Sequence, residues 1–260
     1  MKKKIFRLFV ELTGNPTSSI LLKHITQSRI SRLLIRPFAT TYQINQEEME
    51  YPLSHYKSLQ DLFTRNLLVG SRSIDSSPNT LISPVDGCLS TVGKVDENQT
   101  FMIKGQSYSL TKIFGDINKA ATYKNGSFFI LYLSPSHYHH FHYPISGTVI
   151  SRYALGSISY PVNNLGLRFG KSPFSTNHRL ISELQTEFGK VAIVKVGALN
   201  VNSIHLHSSS KKSIKGAEFG HFSFGSTVIL FIEDSYLFTP TATKDSEVKV
   251  GQSIGEWRKR

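Results

Sequence analysis

From about residue 80 to the C-terminus the chain is a succession of short β-prone runs cut by turn signals, and this spacing limits the folds open to it. The runs are "TLISPVDGCLSTVGKV", "QTFMIKGQSYSL", "GSFFILYL", "GTVISRYAL", "VAIVKVGALNV", "STVILFIE" and "SEVKVGQSIGE". Strand-length segments at such intervals point to a largely antiparallel sandwich or barrel. One run is interrupted: in "GHFSFGSTVILFIE", Gly220 to Glu233, a Gly225-Ser226-Thr227 step breaks an otherwise apolar strand. A Gly inside a strand often marks a bulge or bend. A hydroxyl beside it also offers a nucleophile next to a peptide carbonyl.

The N-terminal third reads differently. "SSILLKHITQSRISRLLIRPF" has Ser residues suited to an N-cap and is expected to end at Pro37. Leu22, Ile25, Ile30 and Leu33 share an arc at helical spacing, although Arg29 falls within it. "SLQDLFTRNL" predicts a second short helix, with Ser58 as cap and Asp61 three residues on. The expected fold class is therefore α+β, with N-terminal helices packed on a largely antiparallel β-sandwich or barrel-like core. We divide the chain into residues 1–70, helical, basic and membrane-facing, and residues 71–260, the β-rich core.

Charge and cysteine content narrow the function. The 260 residues carry a formal charge of +12, and residues 1–36 hold eight Lys/Arg against the single Glu11. Such an excess suits an anionic partner, either nucleic acid or an acidic membrane surface. No recognisable aromatic stacking motif accompanies it, so nucleic acid is not assigned. "MKKKIFRLFVEL" superficially resembles a signal peptide, but Arg7 and Glu11 interrupt it and no small-residue cleavage site follows. The apolar run "SFFILYLSP" falls far short of the roughly 20 residues of a spanning helix. The lone Cys88 excludes an intramolecular disulfide and a multi-Cys zinc site.

Three segments hold candidate chemistry. "SPVDGCLS" puts Asp86 in a Pro-x-Asp-Gly sequence, which on its own is a common turn. "LYLSPSHYHHFHYP" packs His137, His139, His140 and His142 into six residues. A helical turn after Ser134-Pro135 would bring His139 and His142 to one side, whereas a strand would set them on opposite faces. Metal binding is the obvious rival here, but no Cys or carboxylate ligand is adjacent, and none is assigned. "NNLGLRFGKS" is one residue short of a phosphate-binding P-loop, and no G-x-S-x-G nucleophile elbow occurs. Asp86, His142 and Ser226 remain, a carboxylate, a base and a nucleophile.

Together "SPVDG", "LSPSHYHHFHYPISG" and "FGSTVILF" resemble the signature segments of the phosphatidylserine decarboxylase proenzymes. "LFTRNL", "FSTNHR", "VGALNVNSI" and "KGAEFGHF" extend the likeness along nearly the whole chain. Two departures stand out. Phe224 replaces the usual Leu before Gly225-Ser226-Thr227, and Asn177-His178-Arg179 stands where the family usually has Asn-Glu-Arg.

The resemblance implies self-cleavage. His142, oriented by Asp86, takes the Ser226 proton; Ser226 attacks the Gly225 carbonyl, and the chain splits into 1–225 (β chain) and 226–260 (α chain). Residue 226 becomes a pyruvoyl group, the self-made cofactor, which forms a Schiff base with the amine of phosphatidylserine and releases CO2 and phosphatidylethanolamine. Neither pyridoxal phosphate nor metal is implied. His139 is the further candidate, for the substrate carboxylate or the returning proton; His137 and His140 are expected in packing or at the surface. The expected location is peripheral, on the cytoplasmic face of the membrane, and a homodimer is compatible with it. Rival readings are a serine hydrolase using the same triad, a metal-binding protein and a pyruvoyl decarboxylase of a soluble amino acid.

Overall fold

The computed structural model describes residues 24–103, 106–157, 162, 172–198, 203–223 and 226–258. The first 23 residues, most of the Gly166–Ser172 segment, and Gly225 lie outside the described residues.

The N-terminal helix does not stop at Pro37. A 3-10 segment, Arg29–Leu34, leads into α1 (Ile35–Tyr42), and Pro37 sits in the first turn of α1. A proline costs little there, because the first backbone N–H groups of a helix have no intrahelical acceptor. The helix ends instead at Gln43, in the left-handed region with φ 54°. α2 (Leu59–Phe63) is capped as expected: the Ser58 hydroxyl accepts from Asp61 N at 3.1 Å. Asp61 reaches Lys57 N rather than Ser58 N, so the reciprocal half of the box is displaced by one residue. Ile35, Phe38, Leu59, Leu62 and Phe63 pack into a small apolar cluster of their own.

The core is built on β1 (Thr80–Ile82), β2 (Gly87–Lys94), β3 (Thr100–Ile103), β4 (Gln106–Ser109), β5 (Ser127–Leu133), β6 (His140–His142), β7 (Gly147–Leu155), β8 (Arg179–Thr186) and β9 (Gly189–Gly197). These are followed by β10 (Ile204–Leu206), β11 (Lys212–Ser213), β12 (Glu218–Phe222), β13 (Ser226–Ile232), β14 (Leu237–Pro240), β15 (Glu247–Val248) and β16 (Ser253–Arg258). One antiparallel sheet of eight strands runs in the order β11-β7-β8-β9-β13-β5-β2-β15. Its central strands are apolar at consecutive positions because both faces are covered. Phe128, Ile130, Ile229 and Phe231 face a cluster completed by the β3–β4 hairpin and by α3 (Leu110–Phe114) and α4 (Ile117–Thr122). Phe129, Leu131, Val228 and Leu230 face the other way, against Phe141, Phe219, Phe222 and Trp257. That second cover comes from two small sheets, β10-β12-β6 and β1-β16-β14. The α+β expectation holds, with N-terminal helices beside a curled antiparallel core.

The sequence reading missed α3, α4 and β8. Ile113 and Phe114 of α3 and Ile181 and Leu184 of β8 are buried by neighbours distant in the chain. Their segments are short and mixed enough that periodicity alone does not separate helix from strand.

Phe231 is fully buried at the middle of this arrangement, its ring 5.3 Å from that of Phe101 and 5.4 Å from that of Phe114. Phe231→Ala is expected to cost about 3–5 kcal/mol in chemical denaturation of the full chain. A loss below about 1 kcal/mol is inconsistent with a close-packed core around β13.

Candidate active site

Ser226 is the first residue of β13. It pairs with Leu133 at the end of β5 and with Gly197 at the end of β9. The preceding strand, β12, belongs to the small sheet, and its last residue, Phe222, donates its N–H to the His139 carbonyl at 2.9 Å. The polar break in the sequence is thus where the chain passes from one sheet to the other. The Ser226 side chain is fully buried, and its Oγ has no hydrogen-bond partner among the described residues. Buried polar atoms are nearly always paired, so a lone hydroxyl is a functional signal.

Asp86 is brought to the same end of the large sheet. It precedes Gly87, the first residue of β2, and a Cβ on Gly87 would lie 2.7 Å from the Tyr132 carbonyl oxygen. Glycine therefore lets β2 close on β5 next to Leu133, the partner of Ser226. His142 is tied in by its own backbone, which donates to the Pro84 carbonyl at 2.8 Å. The middle motif reaches this end as well. Asn177 Nδ2 donates to the Gly197 carbonyl, and Gly197 N donates to the His178 carbonyl, each at 3.0 Å. His178, where the sequence departs from the family, enters this bond through its backbone, so the departure does not disturb it.

The imidazoles follow the extended alternative: β6 spans His140–His142 and no helical turn joins His139 to His142. His142 Nδ1 is 2.8 Å from the Gly216 carbonyl oxygen. A carbonyl only accepts, so Nδ1 carries the proton and the neutral ring has its lone pair on Nε2. That Nε2 is buried without a partner among the described residues. Burial holds the His142 pKa below the ordinary imidazole value, against the opposing effects of the Gly216 carbonyl and the Glu218 and Asp86 carboxylates. His139 has the same polarity: Nδ1 donates to the His137 carbonyl at 2.9 Å, Nε2 has no partner among the described residues, and the ring centre lies 3.7 Å from that of Phe63 in α2. Burial, and then the neighbouring Arg65 charge, drive its pKa well down.

The Asp86 carboxylate is not hydrogen-bonded to His142. Arg72 Nε reaches its two oxygens at 2.9 and 3.2 Å, Arg72 Nη2 binds Oδ2, and Val250 N donates to Oδ1 at 2.9 Å. Orientation of His142, expected from Asp86, is supplied by a backbone carbonyl. Other residues that sequence reasoning passed over surround the site. Glu218 faces His142 across the β6–β12 ladder, with His140 Nδ1 at 2.9 Å and His207 Nδ1 at 2.8 Å from its Oε1. Its pKa falls to about 2: burial raises it, but the hydrogen bond and charge of His140, with His142 and His207, outweigh burial. "KGAEFGHF" contained the only signal for Glu218, and Arg72 stands in no pattern at all. His137 Nε2 lies 2.9 Å from Glu247 Oε2, and His140 Nε2 lies 3.1 Å from the Thr64 carbonyl oxygen. Among the described residues no group of His, Cys, Asp and Glu is arranged to hold a metal ion.

Comparison with known proteins matches residues 59–256 to the family model for phosphatidylserine decarboxylase. The chain is 46% identical over 258 residues to the phosphatidylserine decarboxylase proenzyme of Geobacillus kaustophilus (strain HTA426), covering 99% of this chain and 98% of that one. It is 45% identical over 257 residues to the proenzyme of Halalkalibacterium halodurans, covering 99% of each. To that of Geobacillus sp. (strain WCH70) it is 48% identical over 256 residues, covering 98% of this chain and 99% of the relative.

Both rings are expected to take up a proton at lower pH than an exposed imidazole, His139 by the wider margin, and a pH titration of the full chain followed by imidazole NMR tests this. Ordinary midpoints near 6.5 at both rings are incompatible with their burial.

Proposed function

The chain belongs to the phosphatidylserine decarboxylase family, and on that premise we propose that it cuts its own backbone at Gly225–Ser226 and then decarboxylates phosphatidylserine to phosphatidylethanolamine and CO2. The observation that carries this is the buried Ser226 hydroxyl at the head of β13, without a hydrogen-bond partner among the described residues.

The steps assigned to the chain follow from ordinary acyl chemistry. An amide resists attack and a neutral hydroxyl is a weak nucleophile, so a base must take the proton as the bond forms. His142 Nε2 is that base. Ser226 Oγ adds to the Gly225 carbonyl, the C–N bond breaks, and the peptide becomes an ester with a free amine at residue 226. Removal of the Ser226 Cα proton then expels the Gly225 carboxylate by β-elimination. The resulting dehydroalanine takes up water and loses ammonia, leaving a ketone-bearing acyl group at the head of residues 226–260. Ser226 suits such a group: it is held in the β5 and β9 ladders, and no described residue hydrogen-bonds its hydroxyl. The pyruvoyl carbonyl supplies the electron sink that the departing carboxylate of an amino acid requires. His139, buried and neutral close to His142 in the chain, is assigned to the substrate carboxylate or the returning proton. The β and α chains remain together because β13 lies between β9 and β5.

A lipid substrate demands docking, and the N-terminal portion, residues 1–70, is assigned to it. Among the described residues no helix is long and apolar enough to cross a membrane. Ile30 and Leu33 are 78% and 80% exposed on the 3-10 segment that also bears Arg29 and Arg32. Basic side chains near anionic headgroups contribute about 1 kcal/mol each, and apolar ones entering the interface add to this. Phe63 on His139, and Arg65 Nη2 on the Ser136 carbonyl at 2.7 Å, connect this portion to the histidine segment. We assign the cytoplasmic face.

Intact mass under denaturing conditions tests the chemistry. Two chains split after Gly225 are expected, the shorter one lighter by one ammonia than a serine-headed peptide, with Ser226→Ala remaining whole. A folded wild-type chain that keeps its full 29.2 kDa removes the proposal. For docking, Ile30→Ser with Leu33→Ser should weaken flotation with phosphatidylserine vesicles about tenfold or more. Unchanged flotation would move the docking surface elsewhere.

A further inference from the structure

Residues 63–65, at the end of α2 and just beyond it, clasp the histidine segment at three points. The Phe63 ring centre is 3.7 Å from that of His139, and the Thr64 carbonyl oxygen is 3.1 Å from His140 Nε2. Arg65 Nη2 donates to the Ser136 and His137 carbonyls at 2.7 and 3.1 Å. The His137 carbonyl also accepts from His139 Nδ1 at 2.9 Å. One oxygen, with its two lone pairs, thus takes a guanidinium and an imidazole together. Arg65 and His139 are 4% and 0% exposed. Among the described residues every hydrogen-bond partner of the guanidinium is a backbone carbonyl, the third being that of Leu62 at 3.4 Å. A buried cation that meets carbonyls and no carboxylate keeps its field for its neighbours.

We propose that Arg65 is a positioning residue for decarboxylation: through the shared His137 carbonyl it fixes the His139 ring with its proton on Nδ1 and with Nε2 bare. The proposal rests on the decarboxylase reading, with His139 returning the proton. A carbonyl only accepts, so the ring must turn an N–H toward it, and Arg65 holds that carbonyl and its neighbour at residue 136 in place. The guanidinium also acts by charge. After burial, it is the largest influence lowering the His139 pKa, followed by His137 from the same turn and, more weakly, His140 from β6. A proton taken from solvent by Nε2 is therefore weakly held. It passes to the substrate α-carbon that CO2 has left, and the ring is neutral again.

The test uses purified full-length enzyme that has cleaved itself, with phosphatidylserine vesicles as substrate and CO2 release as the readout. Two chains on a denaturing gel show that a variant has folded. Arg65→Gln keeps a donor for the carbonyls and removes the charge; Arg65→Lys keeps the charge. Arg65→Gln should lower kcat about ten- to a hundredfold with KM changed less than about threefold, and Arg65→Lys should recover most of that loss. In the uncleaved Ser226→Ala chain, imidazole NMR should show His139 taking up its proton at higher pH when Arg65→Gln is added, but not when Arg65→Lys is added. An unchanged kcat, an effect confined to KM, or a His139 titration that Arg65→Gln leaves in place overturns the proposal. With Arg65 intact, the same NMR should find the His139 proton on Nδ1. A proton on Nε2 also overturns it, whether or not either variant folds. A wild-type enzyme that cleaves itself but releases no CO2 defeats the decarboxylase reading instead, and the NMR result still decides the hold of Arg65 on His139.

Discussion

The rest of the molecule depends on the double ladder of β13. All seven of its residues pair with β5 on one side and β9 on the other, and all seven are buried. Such a strand cannot slip by one residue without exchanging its two apolar faces. Phe231 and Ile229 would have to leave one core, and Val228 and Leu230 the other. The ladder therefore fixes the height of Ser226 against Leu133 and Gly197. It also gives a bond cleaved before Ser226 a stable surrounding, since the strand held on both sides begins at that residue.

Around that fixed point the chemistry is arranged by the second cover of the sheet. β6 and β12 place aromatic rings inward, Phe141, Phe219 and Phe222, and imidazoles and Glu218 on the other side. Across adjacent strands His205 faces His221, and His221 faces His140, so three imidazoles form one row. Desolvation holds the pKa of His221 down to about 4, while Glu218 falls to about 2 through its histidine partners. Histidines thus collect around one carboxylate, and the two rings assigned to chemistry, His139 and His142, have Nε2 atoms without a hydrogen-bond partner among the described residues. Arg72 does for Asp86 what His140 and His207 do for Glu218. Both carboxylates near His142 are occupied.

Much of this was legible in the residues. Seven strand-like runs, the Ser58 cap and the α+β division all correspond to described elements, because each rests on local chemistry: side-chain alternation, turn residues and one hydroxyl over a helix end. Pro37 was misread for an equally local reason, since a proline that ends one helix also serves in the first turn of the next. α3, α4 and β8 were not legible, since their apolar faces acquire meaning only against strands far away in the chain.

By itself the sequence determined the family, the position of the Gly225–Ser226 step within a buried-type strand, and the stock of Asp, His and Ser available to it. Those are properties of types and spacing, and they survive without coordinates. Only the tertiary structure decided who holds whom. His142 is oriented by Gly216, 74 residues further along, and Asp86 is gripped by Arg72, 14 residues before it. A carboxylate and an imidazole in the right order look like partners on paper. In a packed core each hydrogen-bonding group takes the partner that geometry offers, and a nearby guanidinium fork or a backbone carbonyl can win that competition.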